Sequence, residues 1–500
     1  MMYINNVLAC LDPIAVINLQ AAKVRHICVD TREEIPLNSL FVALSGNQAD
    51  GHQYIATAIK AGCIAVLCET LPNELLSNIT YIQVANTRQS LGILAHHFYG
   101  KPSEKIQVIA VTGTSGKSST VHLLYHTFCQ MGYCVGMLST IYHAINGKIF
   151  PSTHTTPDAL LINHMLAKML QQGCQYCFME VSSHAIVQHR ITGIYISGAI
   201  FMNITHEHLD YHGTFAAYIQ AKKALFDLLP KGAFALYNAD DQNGKIMVQN
   251  TKASAYSFAM KNPADFMAKL TAMDWNGIEM RIANHKVWLQ LLGSFNAYNA
   301  LATYAASMCL AQNSQSVLIA LSTIRPIVGR LQHVHCKIRN IDFLVDYAHK
   351  PDALEKVLLT IQQIRKQRNA LGKLITIIGC GGNRDTQKRP LMAKIAFNNS
   401  DLVIFTSDNP RNECPKEIIA DMQKGLTAIE RMQTKVIVDR GMAIKTAYQI
   451  AQPHDTILIA GKGHEVYQEI AGNKIPFSDI QLVNDMIKSF ENQENVSHGI

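Results

Sequence analysis

Residues Val108 to Leu124 read VIAVTGTSGKSSTVHLL. An apolar run ends near Val111, glycines and small hydroxyl residues follow, and a helix-periodic segment opens at Lys117. That order leaves the chain few options. A short apolar run that breaks into glycine and resumes as a helix is the strand–turn–helix unit of a largely parallel α/β sheet. The backbone N–H groups of such a turn, with the helix N-terminus behind them, form an anion site. Lys117 adds a mobile positive charge for β- and γ-phosphates, and Ser118 offers a hydroxyl to Mg²⁺. The fuller pattern G-x-x-x-x-G-K-[ST] lacks its first glycine here. The loop implies nucleotide phosphate; it does not separate a switch, a motor, a kinase or a ligase.

The bulk numbers set limits. At roughly 100–200 residues per domain, a chain of 500 residues implies two to four domains. Hydrophobic residues make up 48% and charged residues 16%, so the chain is folded rather than disordered. A formal charge of +7 suits anionic small substrates as well as nucleic acid. No RNP-like aromatic strand or zinc-finger spacing accompanies it, so no nucleic-acid partner is expected. Twelve cysteines show no framework spacing. Cys174 and Cys177, inside GCQYCFMEVSS, read as buried thiols near a strand. Reduced thiols point to the cytoplasm. The N-terminal MMYINNVLACLDPIAVINLQAAK has no basic region, and Asp12-Pro13 interrupts it, so no signal peptide is expected. No stretch offers some 18 uninterrupted apolar residues, so no membrane span is expected.

Three regions separate by pattern. Residues 1–105 mix short strands, HICVDTR and IAVLCE, with a helix-like HQYIATAIKAG, and Tyr99–Lys105 has the composition of a linker. Residues 106–337 alternate strand and helix. Strands are expected at 106–111, 176–181, 196–203 and 233–237. Helices are expected to open at Lys117, to run from Pro157 to about Gln171, and to begin near Asn296. Residues 338–500 alternate more cleanly, each apolar strand followed by a polar loop. In open α/β sheets ligands sit outside the carboxyl ends of strands, so functional residues are expected in those loops. A hinge is expected near Lys337 to Asp342, and the tail ENQENVSHGI is expected to fray.

Acids and histidines cluster after two of the central strands. Glu180 ends the strand of FMEVSSHAIVQHR. The segment MNITHEHLDYHGTFAAYIQAKK carries His206, Glu207, His208, Asp210, His212, Lys222 and Lys223. Mg²⁺ bound to phosphates takes one or two protein ligands, so Glu180 and one histidine beside Ser118 would be enough. The spacing is not H-E-x-x-H, which disfavours a zinc protease. Taken singly, each histidine is more simply a hydrogen-bonded loop residue.

The ordered set VTGTSGKSST, HTTPDAL, MEVSSHAIVQHR, NITHEHLDYHG, YNADD, GSFNAYNA, VGRLQ, DYAHKPDALE, GCGGNRDTQKRPLM, DNPRNE and AGKGHE resembles the Mur ligase family. These are ATP-dependent amide-forming enzymes of bacterial peptidoglycan synthesis. The resemblance runs over nearly the whole chain. It implies an α/β protein of three domains: a small N-terminal UDP-binding domain, a central P-loop ATP-binding domain and a C-terminal Rossmann-like domain. It implies that ATP phosphorylates the D-glutamate γ-carboxylate of UDP-MurNAc-L-Ala-D-Glu, and that the amine of meso-diaminopimelate attacks the acyl phosphate. ATP is co-substrate, Mg²⁺ the cofactor, and a monomer is expected.

The resemblance also assigns residues. Val29, Thr31, Asn47, Gln48 and Ala49 match the uridine site. His154, Thr155 and Thr156, with Ser182, Gln188 and Arg190, match the muramoyl-peptide site; His154 departs from the Asn of some members. Gly113, Thr114, Ser115, Gly116, Lys117, Ser118 and Ser119 match the phosphate loop. Asn296, Arg330, Asp346 and His349 match positions near ATP. Glu180 and His208 match Mg²⁺ ligands beside Ser118. Lys222 matches the lysine carbamylated in the family, an anion that would help hold the metal, although Lys223 stands next to it. Arg384, Asp408, Asn409, Pro410, Arg411, Gly461 and Glu465 match the diaminopimelate pocket. There Arg411 would pair the distal carboxylate and Glu465 the distal ammonium. Lysine lacks that carboxylate and would leave Arg411 unpaired. A lysine-adding Mur ligase and a folylpolyglutamate synthase-like ligase are the nearest alternatives; DNPR, VDTR and NQADG argue against both. A nucleotide switch would need neither DNPR nor GKGHE.

Overall fold

The computed structural model describes residues 1–46, 49–152, 154–205, 207–367 and 372–497. The chain divides into two compact units, Met1–Phe258 with Ala305–Asn313, and Ala259–Tyr304 with Ser314–Ile500.

Among the described residues the first unit holds two larger sheets and a two-stranded one, Met2–Tyr3 against Lys23–Val24. The N-terminal sheet has the order Ala15–Ile17, Thr80–Gln83, Cys63–Cys68, Ser39–Val42, His26–Cys28, parallel except for its first strand. Alternate residues of one strand feed opposite cores. Leu40 and Val42 pack with Leu91 and Leu94, whereas Phe41 packs with Ile55 and Ala58. Burial on both faces is why these strands read as unbroken apolar runs. The Tyr99–Lys105 segment expected as a linker is tied down instead. Pro102 and Ser103 are buried, and Ser103 Oγ bonds His96 Nε2 at 2.8 Å and accepts the Tyr195 amide at 2.8 Å.

The second sheet of this unit places Gln107–Thr112 between Tyr176–Glu180 and Gly198–Phe201, all parallel. Val135–Leu138 lies beyond Tyr176–Glu180, and Phe234–Asn238 beyond Gly198–Phe201. The chain leaves Gln107–Thr112 to one side and later returns on the other, so the strand order reverses there. Loops at such a switch point diverge and leave a crevice. The expected strands are found at 107–112, 176–180, 198–201 and 234–238. The helix Lys117–Gln130 opens where expected. The next helix is Ala159–Gln171; Asp158 caps it by accepting the Leu161 amide, which leaves Pro157 outside. Strand and helix do not alternate throughout residues 106–337: in the second unit, Phe266–Asp274, Gly277–Ile282 and His285–Leu289 form an antiparallel meander.

The second unit contains a sheet of order Gln332–Cys336, Ile341–Asp346, Thr456–Ala460, Leu374–Ile378, Leu402–Phe405, Lys435–Val436. All its pairs are parallel except the first. That first pair corrects the expected hinge: residues 337–340 turn a hairpin whose ends, Cys336 and Ile341, are buried in the core. Asn296 lies in a helix that starts at Ser294, two residues earlier than expected. The last helix, Asp479–Ser497, carries the tail further than its polar composition implies. Its first residue pairs with Arg440 at 2.7 Å, and both side chains are fully buried. The Arg440 guanidinium also donates to the Ala460 carbonyl at 3.0 Å.

Candidate active site

The phosphate loop is built from both sides. Gly116 precedes the helix with φ +88°, a conformation that a side chain disfavours. Asn203, just past Gly198–Phe201, clamps the loop. Its backbone carbonyl accepts the Thr114 amide at 2.8 Å, its Oδ1 accepts the Ser115 amide at 2.9 Å, and its Nδ2 donates to the Ser115 carbonyl at 3.0 Å. The first turn then presents the amides of Ser118 and Ser119, which an α-helix leaves without intrahelical acceptors. Lys117 Nζ lies on the loop, donating to the carbonyls of Gly113 at 2.8 Å and Thr114 at 3.1 Å.

Glu180 is buried beside this loop. Its carboxylate accepts from Ser118 Oγ at 3.0 Å, Ser139 Oγ at 2.6 Å, the Thr140 amide at 2.7 Å and Thr140 Oγ1 at 3.1 Å. A carboxylate and three hydroxyls make a hard, all-oxygen donor set, the chemistry that Mg²⁺ selects. Ser139 and Thr140 were not singled out from the sequence; their segment LSTIY carries no motif.

Lys222 and Lys223 divide cleanly. Lys222 is buried, and its Nζ donates to the Gly113 carbonyl at 3.0 Å, the oxygen that Lys117 also uses. Lys223 turns away to Asp227 at 2.6 Å. Two ammonium groups on one carbonyl oxygen repel each other. A change that removes the charge of Lys222, or brings an anion between them, relieves that repulsion.

His208 sits in a cluster of rings. It meets His184 edge-on at 4.8 Å and Tyr218 at 6.1 Å, and its Nε2 lies 3.5 Å from Glu207. Tyr218 joins the cluster to the loop through its hydroxyl, 3.1 Å from Thr114 Oγ1. His212 bonds Ser183 Oγ at 2.9 Å. His206 lies outside the described residues. Tyr218 and Asn203 are two links that residue type alone did not reveal.

The proposed muramoyl-peptide residues partly converge on a cavity of about 150 Å³, lined by His154, Gln188 and Arg190 together with Leu44, Arg88 and Asp158. Arg190 donates to the Thr156 carbonyl at 2.6 Å and to Gln188 Oε1 at 2.7 Å. Thr156 Oγ1 bridges the Glu180 carbonyl and the Ser182 amide, so this cavity and the metal-type acid share one strand end. Thr155 is half-buried beside them. Of the uridine set, Val29 and Thr31 follow the strand His26–Cys28, and Ala49 accepts the Gly46 amide. Asn47 and Gln48 lie outside the described residues.

In the second unit, Asp346 accepts the amides of Leu331 and Ala348 at 2.6 and 2.7 Å. Burial pushes its carboxyl up to about 6, against the pull of Arg330 and those amides. Arg330 stacks over Tyr347 at 4.8 Å, and Tyr347 also meets His349 at 4.5 Å and His464 at 4.7 Å. Burial, then Arg330 and Lys462, hold His464 down to about 3. Asn296 is held by the Leu292 carbonyl and by Asn299. Arg330 and Leu292 line a cavity of about 350 Å³ with Trp275, Trp288 and His333.

The loops DNPR and GKGHE are laced together. Asn409 Nδ2 donates to Glu465 Oε2 at 2.7 Å, while Lys462 Nζ bonds both Asn409 Oδ1 and Glu465 Oε2. A Cβ at Gly461 would stand 2.5 Å from Asp408 Oδ2. Pro410 is buried in the same turn. Arg411 donates to Glu469 Oε2 at 3.1 Å and to the Gly382 carbonyl at 2.8 Å. Arg384 is exposed; its stem and the Arg411 guanidinium both border Gly381. The sequence reading had not named Lys462 or Glu469, which hold Glu465 and Arg411.

Three family models match this chain: the Mur ligase family catalytic domain over residues 23–99, the Mur ligase middle domain over 111–307, and the Mur ligase glutamate ligase domain over 329–463. The chain is 47% identical over 465 residues to the UDP-N-acetylmuramoyl-L-alanyl-D-glutamate--2,6-diaminopimelate ligase of Cytophaga hutchinsonii, covering 93% of this chain and 94% of that protein. It belongs to the Mur ligase family. The Geobacillus kaustophilus ligase of the same name is 37% identical, with 92% of this chain and 94% of that protein covered. A solved structure of a ligase of that name superimposes with a TM-score of 0.69 at 29% identity, covering 98% of this chain and 99% of that one. The folylpolyglutamate synthase of Mycobacterium tuberculosis shares the Mur ligase fold at a TM-score of 0.60 and 16% identity, over 75% of this chain and 92% of its own. No described helix is long and apolar enough to cross a membrane.

Proposed function

We propose that this chain is an ATP-dependent ligase joining meso-diaminopimelate to UDP-MurNAc-L-Ala-D-Glu, and that it works in the cytoplasm as a monomer. The observation that carries the substrate reading is the Asp408–Arg411 turn bonded to the Gly461–Glu465 loop. An arginine and carboxylates held together by an amide suit a substrate head that bears both a carboxylate and an ammonium.

The chemistry follows from the residues. A γ-carboxylate oxygen of the D-glutamyl group attacks the terminal phosphorus of ATP, the bond to the β-phosphate oxygen breaks, and ADP leaves. Lys117 and the amides of Ser118 and Ser119 stabilise charge spreading over the transferring phosphoryl group. Asn203 keeps the loop in shape while this happens. Ser118, Glu180, His208 and a carbamylated Lys222 would hold Mg²⁺, which when bound neutralises phosphate charge as a Lewis acid. Carbamylation adds CO₂ to the neutral amine of Lys222 and releases a proton. It replaces the second ammonium on the Gly113 carbonyl with an anion. Arg190, Gln188 and His154 bind the muramoyl peptide, and Val29, Thr31, Asn47, Gln48 and Ala49 the uridine. Asn296, Arg330, Asp346 and His349 bind ATP. Arg411 and Arg384 hold the distal carboxylate of diaminopimelate, and Glu465 its ammonium. The other amine attacks the acyl carbon, phosphate leaves, and the nitrogen gives up its proton as the amide forms.

Mass spectrometry of a reaction with ATP, Mg²⁺, UDP-MurNAc-L-Ala-D-Glu and meso-diaminopimelate tests this reading. The expected product is the UDP-tripeptide, formed one for one with ADP. Lys117→Ala should slow it about 10²–10³-fold. ADP accumulating without tripeptide would refute the proposal.

A further inference from the structure

Outside the residues assigned above, one side-chain cluster has metal-ligand chemistry. Gln332–Cys336 is the edge strand of the second unit's sheet and pairs antiparallel with Ile341–Asp346. The period of two sends Val334 and Cys336, with Ile341, Phe343 and Val345, into the core. His333 and His335 therefore share the opposite face. Asp342 stands directly across from His335, on that same face. The backbone register alone thus gathers two imidazoles and a carboxylate.

The side chains complete the arrangement. Asp342 Oδ1 lies 2.8 Å from His333 Nε2 and 2.8 Å from His335 Nδ1. One ligand atom from each residue falls within 4.8 Å of the others, and among the described residues no second such group of His, Cys, Asp or Glu is found. The His333 ring is fixed by stacking on Trp275, 5.2 Å away and tilted by 17°. The His335 side chain is 39% exposed, which leaves an entrance for an ion and its water.

We propose that His333, His335 and Asp342 bind one divalent transition-metal ion, Zn²⁺ in the first instance. Two imidazoles and one carboxylate select this class over Mg²⁺, which prefers oxygen alone. Zinc bonds of about 2.0–2.1 Å place tetrahedral ligand atoms ~3.3 Å apart. The two imidazoles must therefore draw back from Asp342 by roughly half an ångström, which a side-chain adjustment supplies. Each ring binds as the neutral tautomer, with its one proton on the nitrogen turned away from the metal, and water fills the fourth position. The bound ion cross-links the edge strand to its neighbour. This site is independent of the ligase reading and uses none of its residues.

The test uses the full-length chain, untagged, reduced and stripped of metal. Zn²⁺ titration by calorimetry is compared among wild type, His335→Gln and Asp342→Asn, with circular dichroism confirming that each variant is folded. The expected result is one equivalent in the wild type that is at least tenfold weaker in both variants. Excess Mg²⁺ should not displace it. Co²⁺ should give weak visible bands without the intense sulfur-to-cobalt band of thiolate binding, and both variants should lose them. Equal Zn²⁺ binding in wild type and variants, or cobalt spectra showing thiolate ligation alone, would overturn the proposal.

Discussion

At the scale of single residues, what matters is which partner holds a charge in place. Arg411 is steered by Glu469 and the Gly382 carbonyl, so its guanidinium is held in position rather than mobile. Lysine at this position keeps the charge but loses the planar fork. Arg411→Lys should raise the KM for diaminopimelate about 10–100-fold, the worth of a charge-assisted hydrogen bond, while the KM for ATP stays put; steady-state kinetics checks both. Asp346 makes a different statement. Its folded carboxyl keeps a proton up to about pH 6, whereas the unfolded value is near 3.8. The folded state binds the extra proton between those values, so stability falls as pH rises through that window. The loss is on the order of 3 kcal/mol. Asp346→Asn should flatten the thermal midpoint between pH 4 and pH 6 relative to wild type.

At the scale of elements, the phosphate loop depends on a neighbour. Asn203, at the end of an adjacent parallel strand, holds Thr114 and Ser115 through three hydrogen bonds, accepting two amides and donating to one carbonyl. Asn203→Ala removes the two made by the side chain. It should raise the KM for ATP about tenfold, the worth of one or two buried hydrogen bonds, and leave the KM for diaminopimelate unchanged. This clamp marks where sequence reading stops. Strand–glycine–helix patterning located the strand Gln107–Thr112 to within a residue and the start of the helix at Lys117, because period and turn chemistry are local. Asn203, Ser139, Thr140 and Tyr218 reach the loop only through sheet order, which no short window contains. The antiparallel meander at 266–289 escaped for a related reason. Its strands follow a parallel run, and alternation alone does not announce a change of direction.

At the scale of the whole molecule, the order of motifs carried the family and the fold, while the exact partners came only from three dimensions. The adjacent lysines illustrate both. Spacing preferred Lys222 but said nothing of contacts; the structure buries Lys222 against the Gly113 carbonyl and turns Lys223 to Asp227. Composition suggested a linker at Tyr99–Lys105, but buried Ser103 bonds to His96 and Tyr195, and the first 258 residues belong to one compact unit. Flexible composition is not flexibility when a hydroxyl finds buried partners. The role given to Arg411 fixes which amino acid is added. Phosphate release with ATP, Mg²⁺ and UDP-MurNAc-L-Ala-D-Glu, comparing meso-diaminopimelate with L-lysine, reads that choice. A site that pairs a distal carboxylate should prefer diaminopimelate by ~10³-fold or more in kcat/KM. Equal rates, or a preference for lysine, would contradict the role given to Arg411.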